Sequence, residues 1–218
     1  MSKTVTVDIV ADIVCPWCWL GKCNWDAAVK LTPGIKTQVT WRPFQLDASI
    51  APEGKPYREY MKAKFSGETA SRWQQMRDHL EAAAPEAGIH FDFDNIPIRP
   101  NTLNAHRLLR WATGQDRVEP MIEALFEAFF ANGRDIGDPA VLAELAGSVG
   151  LEEQLTADLL AGDADRKQIV EEEQFYRDLG VSGVPCYIFN GQFAVSGAQP
   201  AEELAKAIRE AAANPASG

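Results

Sequence analysis

Cys15-Pro16-Trp17-Cys18 is the segment of this chain best equipped for chemistry. Two thiols at this spacing lie about one helical turn apart when the chain between them is helical. The first then occupies a helix N-terminus, where unsatisfied N–H groups and the macrodipole stabilise a thiolate. A thiolate is the nucleophile of disulfide exchange. The second cysteine is placed to attack the resulting mixed disulfide and release the partner. Zinc binding is the competing use, but a structural zinc needs four ligands, usually two such pairs or a pair plus histidines. Cys23, Cys186, His79, His90 and His106 are the other candidate ligands and show no second ligand spacing, so no metal is expected.

The elements around the motif fit this use. Residues 4–11 alternate and are rich in Val, Thr and Ile, which predicts a strand ending just before Cys15. Residues 16–31 carry helical spacing, with Pro16 suited to the first turn. Pro33-Gly34 ends that helix, and residues 35–42 alternate again as a second strand. A loop over 48–56 follows, then helical patterns at 57–64, 68–84, 102–113, 117–131, 138–149, 151–160 and 165–179, with an irregular connector at 85–100. Asn101 or Thr102 caps one helix, and Asp138-Pro139 starts another. Strand texture returns at 184–189, turns at Asn190-Gly191 and continues over 192–195. A helix over 200–212 and an irregular tail over 213–218 complete the chain. The order is β-CxxC-α-β, a helical block, then β-hairpin-α. The expected units are 1–48 with 170–218, forming one discontinuous α/β domain, and a helical insertion over 49–169.

Composition narrows the function classes. The chain has 218 residues, 21 Lys plus Arg against 31 Asp plus Glu, and a formal charge of −10. An acidic chain without a basic run is a poor partner for nucleic acid, where phosphate contacts supply most of the affinity. It is equally ill suited to anionic lipid surfaces. No apolar stretch approaches the ~18 residues of a membrane span. Asp8 interrupts the first apolar run, so no signal peptide is read and a cytoplasmic location is expected. Four cysteines are too few to staple a chain of this length, and cytoplasmic thiols are mostly reduced. Apolar stripes on the insertion helices leave both a monomer and a homodimer open.

Several blocks together resemble a known family. They are Asp12-Ile13-Val14-Cys15-Pro16-Trp17-Cys18-Trp19-Leu20-Gly21-Lys22, Trp41-Arg42-Pro43-Phe44-Gln45-Leu46-Asp47, Pro100 through Leu108, Gly183-Val184-Pro185 and Ala194 through Gln199. In this order they resemble the DsbA-type branch of the thioredoxin-like superfamily, and within it the cytoplasmic FrnE-like dithiol–disulfide oxidoreductases or isomerases. The resemblance implies a thioredoxin-like α/β fold, a mixed central sheet flanked by helices, with a large all-helical insertion. It implies Cys15 as the attacking and Cys18 as the resolving cysteine. Pro185 corresponds to a cis-proline facing the motif, with the Val184 backbone pairing an extended substrate. Pro16, Trp17, Asn101 and His106 are implied as substrate contacts. The implied activity is exchange of protein or small-molecule disulfides. No cofactor is needed, although glutathione stays open as a redox partner. The alternative is a glutathione-dependent transferase or isomerase of the kappa or chromene-carboxylate type. Those relatives usually carry Ser at the first motif position, and this chain has Cys at both.

Individual residues also have blander uses. Asp12, three residues before Cys15, suits either a proton relay to Cys18 or a loop cap. His106 shares an i, i+3 stripe with Leu103 and Leu109 and is equally consistent with an inner-face histidine. Cys186 and Cys23 are expected to be small buried or incidental residues rather than further redox thiols. Trp17 is expected to be exposed. It brings no charge beside the sulfurs, which suits reduction or isomerisation as well as oxidation. Phe126, Phe129, Phe130, Trp73 and Trp111 are expected in the core of the helical block. Glu171-Glu172-Glu173 is expected on a solvated helix face.

Overall fold

A computed structural model describes residues 3–215, and the end of the expected tail, 216–218, lies outside the described residues. β1 (Lys3–Ala11) turns Val5, Val7 and Ile9 inward and leads straight into the cysteine motif. α1 (Pro16–Lys30) begins on Pro16, whose missing N–H is harmless at the first helical position. β2 (Ile35–Pro43) then pairs parallel with β1 along its whole length, from Lys3↔Ile35 to Ala11↔Pro43. Next come β3 (Lys55–Pro56), α2 (Tyr57–Lys64), α3 (Ala70–Ala87), β4 (Ile98–Arg99), α4 (Leu103–Thr113), α5 (Val118–Phe126), α6 (Pro139–Ser148), α7 (Glu153–Ala161) and α8 (Arg166–Asp178). The chain closes with β5 (Cys186–Phe189), β6 (Phe193–Ser196) and α9 (Ala201–Ala213).

The chain divides into two compact units: the stretch through Phe44 with the stretch from Glu172, and Gln45–Glu171. The first holds a mixed four-stranded sheet in the order β2-β1-β5-β6, with β1 and β2 parallel and the other pairs antiparallel. Trp25 and Ala28 of α1 and Leu204, Ile208 and Ala211 of α9 pack on Val5, Val7, Ile9, Tyr187 and Phe189 of the sheet. Each large apolar side chain buried this way is worth roughly 1.5–3 kcal/mol. The β5–β6 loop has positive φ at both central residues, 51° at Asn190 and 65° at Gly191, as a two-residue hairpin turn requires. Asn190 also accepts from the Thr6 N–H and donates to the Ala211 carbonyl, tying the turn to β1 and α9.

Glu172 and Glu173 are not on a solvated face. Arg42 of β2 reaches Asp8 and Glu172, each at 2.7 Å, while Arg177 pairs with Glu173 at 2.6 Å and lies 4.0 Å over the Phe44 ring. Two guanidinium groups thus draw these two acids inward, while Glu171 stays exposed. Tyr176 sits in the same network. Its phenol is pushed up to about 12, mainly by burial and then by the charge of Asp8.

The second unit is helical apart from the two-residue antiparallel ribbon β3–β4. Its core centres on Phe126, Phe129 and Phe130, all at most 1% exposed, with Phe91 and Phe93 against them. Trp73 and Trp111 are only partly buried. A single wide π turn over Glu127–Ala131 follows α5 and lets Phe129 and Phe130 both face inward. α3 runs on through Pro85, past the expected stop. It closes where Gly88 adopts φ 71°, with Ile89 N–H bonding Ala84 and Gly88 N–H bonding Pro85. Arg107 of α4 is wholly buried. Its guanidinium donates to the carbonyls of Leu159, Leu160, Gly162 and Ala164 and to Asn104 Oδ1.

Candidate active site

Cys15 is the N-cap of α1, with extended backbone (φ −97°, ψ 110°). Its N–H bonds the Asp12 carbonyl, and its own carbonyl accepts from the Cys18 N–H at 2.9 Å, which winds the motif into the first turn of the helix. The Cys15 residue is 4% exposed and Cys18 1%. The Cys15 Sγ donates to the Val184 carbonyl at 3.6 Å, and the Val184–Pro185 peptide is cis. Burial pushes the Cys18 thiol well above its ordinary value of 9.0. The hydrogen bond and charge of Cys15 act in the same direction, as does the charge of Asp12, while the Asp12 backbone opposes them. Among the described residues no two cysteines are joined in a disulfide.

The sheet unit brings together Asp12, Cys15, Pro16, Trp17, Cys18, Val184 and Pro185. Asp12 is fully buried at the end of β1, below the motif. Trp17, expected outside, is only partly exposed, as is Pro16. The loop after β6 is fastened beneath the proline: Gly197 N–H bonds the Pro185 carbonyl at 2.8 Å, and Asn24 of α1 donates to the Gln199 carbonyl at 2.9 Å. Cys186 follows on the central antiparallel strand and is 3% exposed. Burial raises its thiol, while the Ser196 hydroxyl, 3.9 Å away, lowers it. Cys23 is partly buried on α1.

Asn101 and His106 belong to the helical unit. Asn101 is occupied in shaping its own loop: Nδ2 donates to the Ile50 carbonyl at 2.6 Å, and Oδ1 accepts the Leu103 N–H at the start of α4. His106 is 3% exposed on α4. Among the described residues no group of three or more His, Cys, Asp or Glu is arranged to hold a metal ion, and no helix is long and apolar enough to cross a membrane.

Two features of the site have only faint signals in the sequence. A cavity of about 530 Å³ opens beside Val184, lined among others by Leu179, Val181, Val184, Cys186, Ile188 and Ser196. Its floor is the face of the β5–β6 hairpin that carries Cys186 and Ile188, and Val184 is shared with the Cys15 hydrogen bond. The second feature is a close approach at Gly21. A Cβ there would stand 2.5 Å from the Tyr187 hydroxyl and 3.0 Å from Pro185 Cγ. Gly21 after the CxxC is the one hint that the helix surface there must be bare.

The profile of the DSBA-like thioredoxin domain matches residues 6–209. The chain belongs to the DsbA-like thioredoxin family. Members of this family are disulfide oxidoreductases and isomerases, and this chain is an enzyme of that kind. A crystal structure of a probable DsbA oxidoreductase, SCO1869 from Streptomyces coelicolor, is 30% identical, with a TM-score of 0.89, covering 98% of this chain and 92% of that one. An uncharacterized protein of Bacillus subtilis, YwbO, is 27% identical over 95% of this chain and 97% of its own. The cytosolic disulfide reductase DsbM from Pseudomonas aeruginosa, in its structure with GSH, shares the fold at 16% identity. Its TM-score is 0.63, covering 95% of this chain and 96% of that one. The DsbA-like chain therefore has the thioredoxin-type mixed sheet with a helical insertion that its sequence pattern implies.

Proposed function

We propose that this chain is a thiol–disulfide oxidoreductase that cycles Cys15 and Cys18 between dithiol and disulfide through a mixed disulfide. The observation that carries the proposal is the Cys15 thiol at the N-cap of α1, hydrogen-bonded to Val184, with Cys18 buried one turn behind it. The Cys15 thiolate attacks one sulfur of a substrate disulfide. The substrate S–S bond breaks, and the other sulfur leaves with the electron pair and takes up a proton. Cys18 gives up its proton, with buried Asp12 as the acceptor, and attacks Cys15 Sγ. The Cys15–substrate bond breaks and the second substrate thiol leaves. The substrate is reduced by two electrons and the enzyme oxidised by two. The reverse sequence oxidises a substrate dithiol.

The Val184 backbone supplies the edge on which an extended substrate lies, with Pro185, Pro16 and Trp17 around the sulfurs. The cavity beside Val184 takes the neighbouring apolar side chain. Asn101 and His106 enter as substrate contacts through the family resemblance alone, and their variants should raise KM more than they lower kcat. The reading includes the FrnE-like subgroup, a cytoplasmic setting and glutathione as the thiol that returns the enzyme disulfide to the dithiol. A relative's structure with GSH supports the last of these.

A titration of the Cys15–Cys18 couple in glutathione buffers, read by mass spectrometry, tests the proposal. A reversible Cys15–Cys18 disulfide supports it. Its absence, with a stable Cys15–glutathione adduct and turnover of an electrophile, would instead establish a glutathione-dependent transferase or isomerase.

A further inference from the structure

Tyr187 carries a polar group that the dithiol cycle leaves unused. It lies two residues after Pro185, on β5. Its ring is fully buried and stacks on Trp25 of α1, with centroids 5.9 Å and planes 19° apart. Among the described residues its buried hydroxyl has no hydrogen-bond partner. Buried polar groups nearly always find partners, so a Tyr kept where a Phe would pack equally well requires an explanation.

The position of the hydroxyl supplies one. It lies against the bare backbone of Gly21, beside Pro185 Cγ. Gly21 is three residues after Cys18, so the two share a face of α1. The phenol is held well above its ordinary value, first by burial and then by the negative charge that Cys18 and Cys15 would carry. It is therefore a donor at every working pH, and it lies within the electrostatic reach of both sulfurs. A hydroxyl rotates freely about its C–O bond and can present its proton where charge appears. Cys18 needs such help, because its thiolate must form in a buried place with little water to stabilise it.

We infer that Tyr187 is a positioning residue for the resolving cysteine, its uncommitted O–H dipole turning toward Cys18 as the thiolate forms and stabilising the step that closes the Cys15–Cys18 disulfide. In that step the Cys18–Cys15 bond forms and the Cys15–substrate bond breaks. The substrate sulfur leaves with the electron pair, and Tyr187 keeps its proton throughout. The inference rests on the dithiol reading above.

Stopped-flow reaction of the reduced protein with dithiobis-nitrobenzoate separates the two steps. The first thionitrobenzoate leaves when Cys15 attacks, and the second leaves when Cys18 resolves the adduct. Tyr187→Phe should leave the first phase unchanged. It should slow the second about tenfold at pH 7 and move its pH midpoint up by about one unit. Loss of an orphan hydroxyl should leave Tm unchanged or raised, so a slower second phase would not reflect a damaged fold. Replacing Tyr187 by 3-fluorotyrosine, a stronger donor of nearly the same shape, should speed the second phase. An unchanged second phase and midpoint in both variants, with a two-phase wild type, would overturn the inference alone. A wild type that releases only one equivalent and forms no Cys15–Cys18 disulfide would overturn the dithiol reading and this inference with it.

Discussion

Arg107 in the helical unit and Cys18 in the sheet unit are both buried polar side chains, but their surroundings differ. The Arg107 guanidinium donates to four main-chain carbonyls at the end of α7 and just beyond, and to Asn104. Its charge is fully engaged, so it holds the α4–α7 packing and has nothing left for chemistry. The Cys18 thiol shares its surroundings with Cys15, a buried carboxylate and a phenol, none of which neutralises a charge formed on it. Burial with every donor matched produces a structural post. Burial with groups left in reserve would, on the proposed dithiol reading, give a centre whose acidity changes as its neighbour reacts.

The comparison breaks or sharpens under four changes. Cys15→Ser should lower disulfide exchange by about three orders of magnitude or more while Tm moves little. A large fall in Tm would mean that the thiol also supports the fold. Arg107→Met should do the reverse. Leaving several buried carbonyls without donors should cost roughly 3–5 kcal/mol in urea unfolding, with exchange per folded molecule unchanged. A Met variant as stable as the wild type would show that the socket is not a post.

The third change is pH. Cys18 holds its proton in the folded chain at pH values where the unfolded chain has lost it. Stability is therefore full below the unfolded value near 9 and falls as pH rises toward the folded one, by up to about 1.4 kcal/mol per pH unit. Urea titrations of the reduced protein at pH 8.5 and 10.5 should show a larger loss in the wild type than in Cys18→Ala, and equal losses would contradict the burial of that thiol. The smallest effect belongs to a surface cap. Asp138 accepts the Ala140 N–H at the start of α6, and Asp138→Ala should cost about 1 kcal/mol with no effect on exchange.

The cysteine half of this comparison was visible as a motif in the sequence because its signals are local. Cys15-Pro16-Trp17-Cys18 carries its own spacing, Asn190-Gly191 its own turn, and Asp138-Pro139 its own cap. The structural half was not. The carbonyls around Arg107 lie 52–57 residues along the chain and have no side-chain signature, so a buried arginine there looks like any helical arginine. Tyr187 was hidden for a related reason, since its importance rests on a backbone surface at Gly21 far away in the chain. Glu172 and Glu173 misled because a run of three acids usually faces water, whereas Arg42 and Arg177 reach these two from other elements. Pro85 misled because it falls in the last turn of α3, where one lost hydrogen bond is tolerated.

The pairing of β1 with β5 has a consequence for how the protein is made. Thr6 bonds Asn190, 184 residues further on. At about 5–20 residues per second, a ribosome needs roughly 10–40 s to deliver the second partner after the first. During that time β1 has only β2 beside it, and its other edge, which later receives β5, stays unpaired. The cysteines emerge early, with neither Val184 nor the core residues of β5 yet made to cover them. In a newborn chain the thiols thus stay uncovered by β5 until Val184 and the strand after it have been made.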